Sequence, residues 1–178
     1  MRDNALANLT FGLPTLTGWH NAWFGYVTGE APLDRAALGG SVFTPSEYAH
    51  MADVRTVFVA FRIAAAAAGI IGIGLVLRVA RRDRRATVVL VRDAALTAAV
   101  GVAVIAVAGV VAFDPLFLLF HEVFFPQGNF LFPADSNLLA VYPDEYWYGV
   151  TLRIGFTFAT AVAGIALVAT ATLRQGRR

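Results

Sequence analysis

The sequence predicts an all-α membrane protein: a small antiparallel bundle of transmembrane helices with an additional helix lying along its outer face. Composition is the first reason, since 58% of the 178 residues are hydrophobic and only 15% charged, far from the balance of a soluble domain. The second is that three separate stretches each reach the roughly 20 apolar residues needed to cross hydrocarbon. The third is the placement of charge, because arginines crowd one connection between the spans.

The first span runs from Val57 to Val79, with Arg62 as the charge in its interior. The second, from about residue 94 to 113, carries no charge, and the third, from about 150 to 173, has only Arg153 near its start. The second and third use Ala, Gly, Thr and Val heavily. Small residues of this kind let helix backbones approach in lipid, or simply reflect composition.

Orientation follows from arginine. Arg78, Arg81, Arg82, Arg84, Arg85 and Arg92 fall in or beside a connection at residues 80–93, and Arg174, Arg177 and Arg178 close the chain. The positive-inside rule places both in the cytoplasm. Residues 1–56 and the loop at 114–149 are then extracytoplasmic, with residues 57–178 forming the bundle. A translocated N-terminal segment calls for an export signal or a preceding span. The opening residues are too polar for either, so a missing first span is expected, or an arm resting on the membrane through Trp19, Trp23, Phe24 and Tyr26. His20 reads as part of that arm.

Several chemistries are excluded. The chain has no cysteine, so disulfides, thiolate nucleophiles and cysteine-bound metals are ruled out. A formal charge of +2 gives no reason to expect nucleic acid, and no metal or cofactor is called for. Ser46 and Ser136 lack the G-x-S-x-G context of a serine hydrolase.

The outer side carries the candidates. Thr44, Pro45 and Glu47 form a capping-box pattern with proline at the first helical position, so the first helix begins well before its apolar part. Glu47, His50 and Asp53 follow at i, i+3 and i+6. The histidine thus has a carboxylate one turn away on each side, which is either an oriented base or a plain surface feature.

In the outer loop, Asp114 and Pro115 open a short helix through about residue 125, apolar nearly all round except at His121 and Glu122. Phe113, Phe117, Phe120, Phe124, Phe125, Phe130 and Phe132 make an acyl-chain-compatible surface, or an aromatic belt, around that histidine. An imidazole in such a place costs free energy unless paired, which makes it a functional candidate. His50 and His121, far apart in sequence, both belong at the outer mouth of the bundle. Arg55, Arg62 and Arg153 lie at the same boundary, either to bind a phosphate or steady an oxyanion, or to pair with Asp135, Glu145 or Asp114.

Two blocks resemble a family of bacterial integral membrane proteins, the lipoprotein intramolecular transacylase (Lit) family. One is F-T-P-S-E-Y-A-H-M-A-D-V-R, residues 43–55, similar to an E-x-x-H-M-x-D-V pattern ahead of a span. The other, residues 121–147, is similar to an H-x-x-F-F pattern followed by Y-P-x-x-[FY]-[FW] before the last span. The resemblance covers roughly residues 40–173 and implies acyl transfer from the diacylglyceryl group of a lipoprotein to the amino group of its own N-terminal cysteine. By that resemblance His121 and His50 are the essential pair, with His121 as base and His50 as partner, roles that could be exchanged. Asp53, Glu47, Glu122 and Asp135 would support or orient them. Arg55, Arg62, Arg153 and Tyr142 would contact the oxyanion, phosphate or lipid. The partners implied are the bilayer and a diacylated lipoprotein. A haem- or quinone-binding redox protein and a non-catalytic scaffold are the alternatives.

Overall fold

The computed structural model describes residues 11–175. Six helices follow one another within them, and none of the described residues forms a strand: α1 Leu13–Thr28, α2 Pro45–Ala80, α3 Arg84–Val111, α4 Phe113–Phe124, α5 Asn137–Val141 and α6 Asp144–Gln175. Arg177 and Arg178, used for the topology, lie outside the described residues.

The three expected spans are the three long helices. Their most apolar windows have mean hydropathies of 2.2, 2.5 and 1.9 in α2, α3 and α6. Their large apolar side chains are bare, as at Ile70, Val111 and Phe156, which are 73%, 80% and 76% exposed. Surface of this extent is not left to water by soluble proteins, whereas hydrocarbon removes its hydration penalty. The chain is a multi-pass membrane protein.

Each span is longer than its apolar stretch. α2 has 36 residues, about 54 Å at ~1.5 Å per residue, against a hydrocarbon core of about 30 Å. Its first turns, Pro45–Thr56, stand ahead of the apolar run that begins at Val57. The connection expected at 80–93 shrinks to residues 81–83. Asp83 caps α3 by accepting from the backbone N–H of Arg85 at 2.7 Å and of Ala86 at 3.1 Å. That cap starts the helix ten residues before the apolar stretch that revealed it.

The expected outer helix is α4, and the loop around it is more ordered than its sequence suggested. It also contains α5, opened by Ser136 as N-cap, and the start of α6.

Two compact units divide the chain: residues 11–64 with 117–147, and residues 65–116 with 148–175 among those described. The second unit holds the long apolar helix segments. In the first, α1 presents Trp19, Trp23 and Val27 at helical spacing to Phe43, Tyr48 and Met51 from the start of α2 and its approach, and to Leu138 and Tyr142 from α5. The aromatic arm expected at the membrane surface is therefore corrected in part. Phe24 is exposed, but Trp23 is fully buried and Trp19 nearly so. The tryptophans face inward because edge-to-face packing on Phe43, at 5.3 Å from Trp19 and 5.4 Å from Trp23, withdraws far more apolar area from water than a headgroup layer would. Gly29, at a φ of 76°, closes α1 in the left-handed conformation.

Candidate active site

The first turn of α2 forms the capping box read from the sequence. The Thr44 N–H donates to Glu47 Oε2 at 2.6 Å, and the Glu47 N–H donates back to Thr44 Oγ1 at 3.3 Å. Glu47 then does something the spacing did not reveal. Its other oxygen, Oε1, accepts from the Ser136 hydroxyl at 2.5 Å and from the Leu138 N–H at 3.0 Å. The carboxylate is buried and ties the start of α2 to the start of α5. Burial works against its charge, but the hydrogen bonds from Ser136, Thr44 and Leu138 outweigh it and hold the carboxyl below its ordinary 4.5. Glu47 thus makes its hydrogen bonds away from His50.

One turn along α2, His50 is 6% exposed and enclosed by rings. Phe125 meets it edge-on at 4.9 Å and Phe132 at 5.4 Å. His121 lies nearly parallel to it, with ring centroids 6.1 Å apart and an interplanar angle of 20°. The two histidines, 71 positions apart, are thus brought together. Burial lowers the pKa of His50, the nearby His121 adds to this, and Asn129 and Asp53 act in the opposite sense. Its Nδ1 is buried without a hydrogen-bond partner.

His121 is half-buried on α4. Its Nδ1 lies 2.7 Å from the Phe117 carbonyl oxygen. A carbonyl can only accept, so the proton belongs on Nδ1 and the lone pair of the neutral ring on Nε2. Phe117 at 4.4 Å, Phe130 at 5.1 Å and Phe125 at 5.5 Å surround the ring. Of the seven phenylalanines read as one surface, Phe113 falls in the other unit, edge-on to Tyr148.

Asp53 accepts two carboxamide hydrogen bonds on the same oxygen, Oδ2, from Gln127 at 2.8 Å and Asn129 at 2.6 Å. Sequence reading passed over both amides. The signal was present: Q-G-N is the polar interruption in a run of phenylalanines, and Gly128 at a φ of 74° makes the turn that aims both side chains at one carboxylate.

A model of the lipoprotein intramolecular transacylase family matches residues 21–147. The chain belongs to that family. The match takes in both histidine blocks and begins in α1, earlier than the resemblance suggested. The family's activity makes the chain an acyltransferase acting on lipoproteins and selects acyl transfer over the redox and scaffold alternatives. Comparison with curated proteins gives no match, and comparison with solved structures gives none either.

The remaining candidates of this transacylase are more scattered. Arg55 places its guanidinium over the Tyr26 ring at 4.8 Å, and Arg62 donates to the Thr28 carbonyl at the end of α1. Both are thus engaged elsewhere than with the expected acids. Arg153 is exposed in the second unit, and Glu122 and Asp135 are exposed in the first. Tyr142 is buried, and its hydroxyl donates to the His20 carbonyl at 3.5 Å. Burial and the neighbouring Tyr146 push its phenol well above the ordinary 10, so it serves only as a neutral donor. His20, read as an arm residue, packs its ring against Tyr142 and Tyr146.

Proposed function

We propose that the protein moves an acyl chain from the diacylglyceryl group of a bacterial lipoprotein to the amino group of the same lipoprotein's N-terminal cysteine, leaving the lyso form, with His121 as general base and His50 as its partner. The observation that carries this reading is the stacked pair itself, two imidazoles 6.1 Å apart within a wall of phenylalanines. No enzyme nucleophile is required. The substrate nitrogen attacks the ester carbonyl, a C–N bond forms and the ester C–O bond breaks. The proton released from nitrogen passes to Nε2 of His121 and from there to the departing glycerol oxygen.

Three features support this assignment. The Phe117 carbonyl holds the His121 tautomer that leaves Nε2 basic. The lowered pKa of His50 keeps that ring neutral near pH 7, able to orient the amine or hand on a proton. The phenylalanine wall suits acyl chains and limits the water that would hydrolyse the ester instead. Placing both reacting groups on one substrate molecule makes positioning the larger part of the task.

The arginines from Arg78 to Arg85 support a cytoplasmic position for the α2–α3 turn. The start of α2 then lies across the bacterial cytoplasmic membrane, and the histidine pair works at the extracytoplasmic membrane–water interface.

The test is His50→Ala and His121→Ala, each expressed in a host lacking the enzyme, with lipoprotein N-termini read by mass spectrometry. Both variants should leave lipoproteins diacylated with a free amine. Formation of N-acylated lyso-lipoprotein at the parent rate by either one overturns the histidine assignment.

A further inference from the structure

A peptide α-amino group titrates near 7.7–8.0, so at neutral pH the nitrogen that must become a nucleophile arrives mostly as an ammonium. It has to be held as a cation before it can be deprotonated. We infer that Asp53 is the seat of that ammonium, and that the turn carrying Gln127 and Asn129 builds the seat. This rests on the transacylase reading above and names the subsite for one half of its substrate.

Asp53 lies one helical turn beyond His50 on α2, on the same face. It is half-buried, and its hydrogen bonds come from neutral groups alone. Gln127 and Asn129 both donate to Oδ2, and no hydrogen bond to Oδ1 is formed among the described residues. No cationic side chain of the described residues forms an ion pair with it; the pair found among them joins Arg92 to Asp93. Arg55, two residues further along α2, is spent on the Tyr26 ring. A carboxylate drawn from water and given only amide donors has been partly desolvated without being neutralised, and an arriving cation recovers that cost.

A second observation points the same way. His50 is more than nine-tenths buried, yet its Nδ1 has no hydrogen-bond partner. A buried polar atom without a partner is uncommon, and this one belongs to a titratable ring on the same helix face as Asp53. One turn of α2 therefore carries both an unfilled carboxylate oxygen, at Asp53, and an unfilled imidazole nitrogen, at His50. An ammonium offers three donors, enough for Asp53 and a histidine at once. The proton then leaves through the histidines.

The probes are a synthetic diacylglyceryl-cysteinyl lipopeptide and its analogue with hydrogen in place of the α-amino group, bound to the full chain in detergent micelles. The parent should bind the amine about tenfold more tightly at pH 7, and that preference should fade as pH rises past about 8. Asp53→Asn should bring the two affinities together. The double variant Gln127→Ala, Asn129→Ala loosens the turn but keeps the carboxylate, and should lessen the preference without abolishing it. Equal binding of the two probes by the parent overturns the inference, as does a preference that survives Asp53→Asn. A preference lost equally in the double variant also overturns it, since Asp53 would then act only through the turn. His121→Ala separates the two readings: it should stop turnover yet still prefer the amine. Continued turnover in that variant counts against the base and leaves the seat standing.

Discussion

The imidazole of His50 stacks on that of His121 while only His121 has a hydrogen bond to its Nδ1. The rings are thus alike in chemistry and unlike in constraint. One has its tautomer set by a helix carbonyl, and the other sits in an aromatic enclosure that resists protonation. The difference is what acid–base work between two histidines needs, because like groups in like surroundings cannot divide the roles.

That asymmetry has a pH signature. Because burial and then the charge of His121 depress the His50 pKa below 6.5, both folded and unfolded chains carry a neutral ring above that pH. As pH falls below 6.5, the unfolded chain takes up the proton first and the folded state loses stability until His50 itself titrates. The melting temperature of the parent in detergent should fall between pH 7 and 5, with a smaller fall in His50→Asn. In His121→Asn, the NMR titration of His50 should move up toward 6.5 without reaching it, since burial is the larger cause. An unchanged titration there would show that the rings do not interact.

Glu47 is expected to govern the assembly of the first unit. Glu47→Ala strands the Ser136 hydroxyl and the N–H groups of Leu138 and Thr44, at a cost of about 3 kcal/mol, read by thermal unfolding. Glu47→Gln should cost less, because a carboxamide still accepts on one atom. The folded carboxyl titrates below its ordinary 4.5, so its contribution is present above that pH and is lost as pH falls through the folded value. The Glu47→Gln variant should lack this acid-dependent loss.

Trp23 separates packing from hydrogen bonding. It is fully buried, and its Nε1 has no partner. Trp23→Ala should cost about 3–5 kcal/mol through the cavity it leaves. Trp23→Phe also removes an unsatisfied donor, so its cost should be less than half as large. Comparable losses in the two variants would mean that the indole N–H is satisfied after all.

Gly128→Ala tests the turn. A Cβ there would meet nothing within 4 Å, so the penalty is the left-handed backbone alone, about 1–2 kcal/mol. Turnover should fall further than stability, because the same turn carries Gln127 and Asn129. Activity that stays at the parent level despite the lowered melting temperature would detach this turn from the site.

Much of this was legible in the sequence, and what was missed has a common cause. The spans, the α2 capping box and both histidine blocks depend on local patterns, whether apolar runs, i+3 spacing or a proline after a cap, and they emerge in the structure. Partner choice depends on distant contacts. The spacing set Glu47 and Asp53 on either side of His50, but Ser136, Leu138, Gln127 and Asn129, more than seventy positions away, compete for those carboxylates and win. Trp19 and Trp23 were read as interfacial by residue type, whereas Phe43 and Tyr48, brought over them by the 29–44 connection, give them a dry interior.

The clasp at Glu47 sets when the site can form during synthesis. It joins the start of α2 to the start of α5 across 89 positions of chain, from Glu47 to Ser136, and pairings of such sequence separation are made late because the intervening loop must close first. A chain cut short before Ser136 would carry both imidazoles and still lack the bond that fastens the first unit around them.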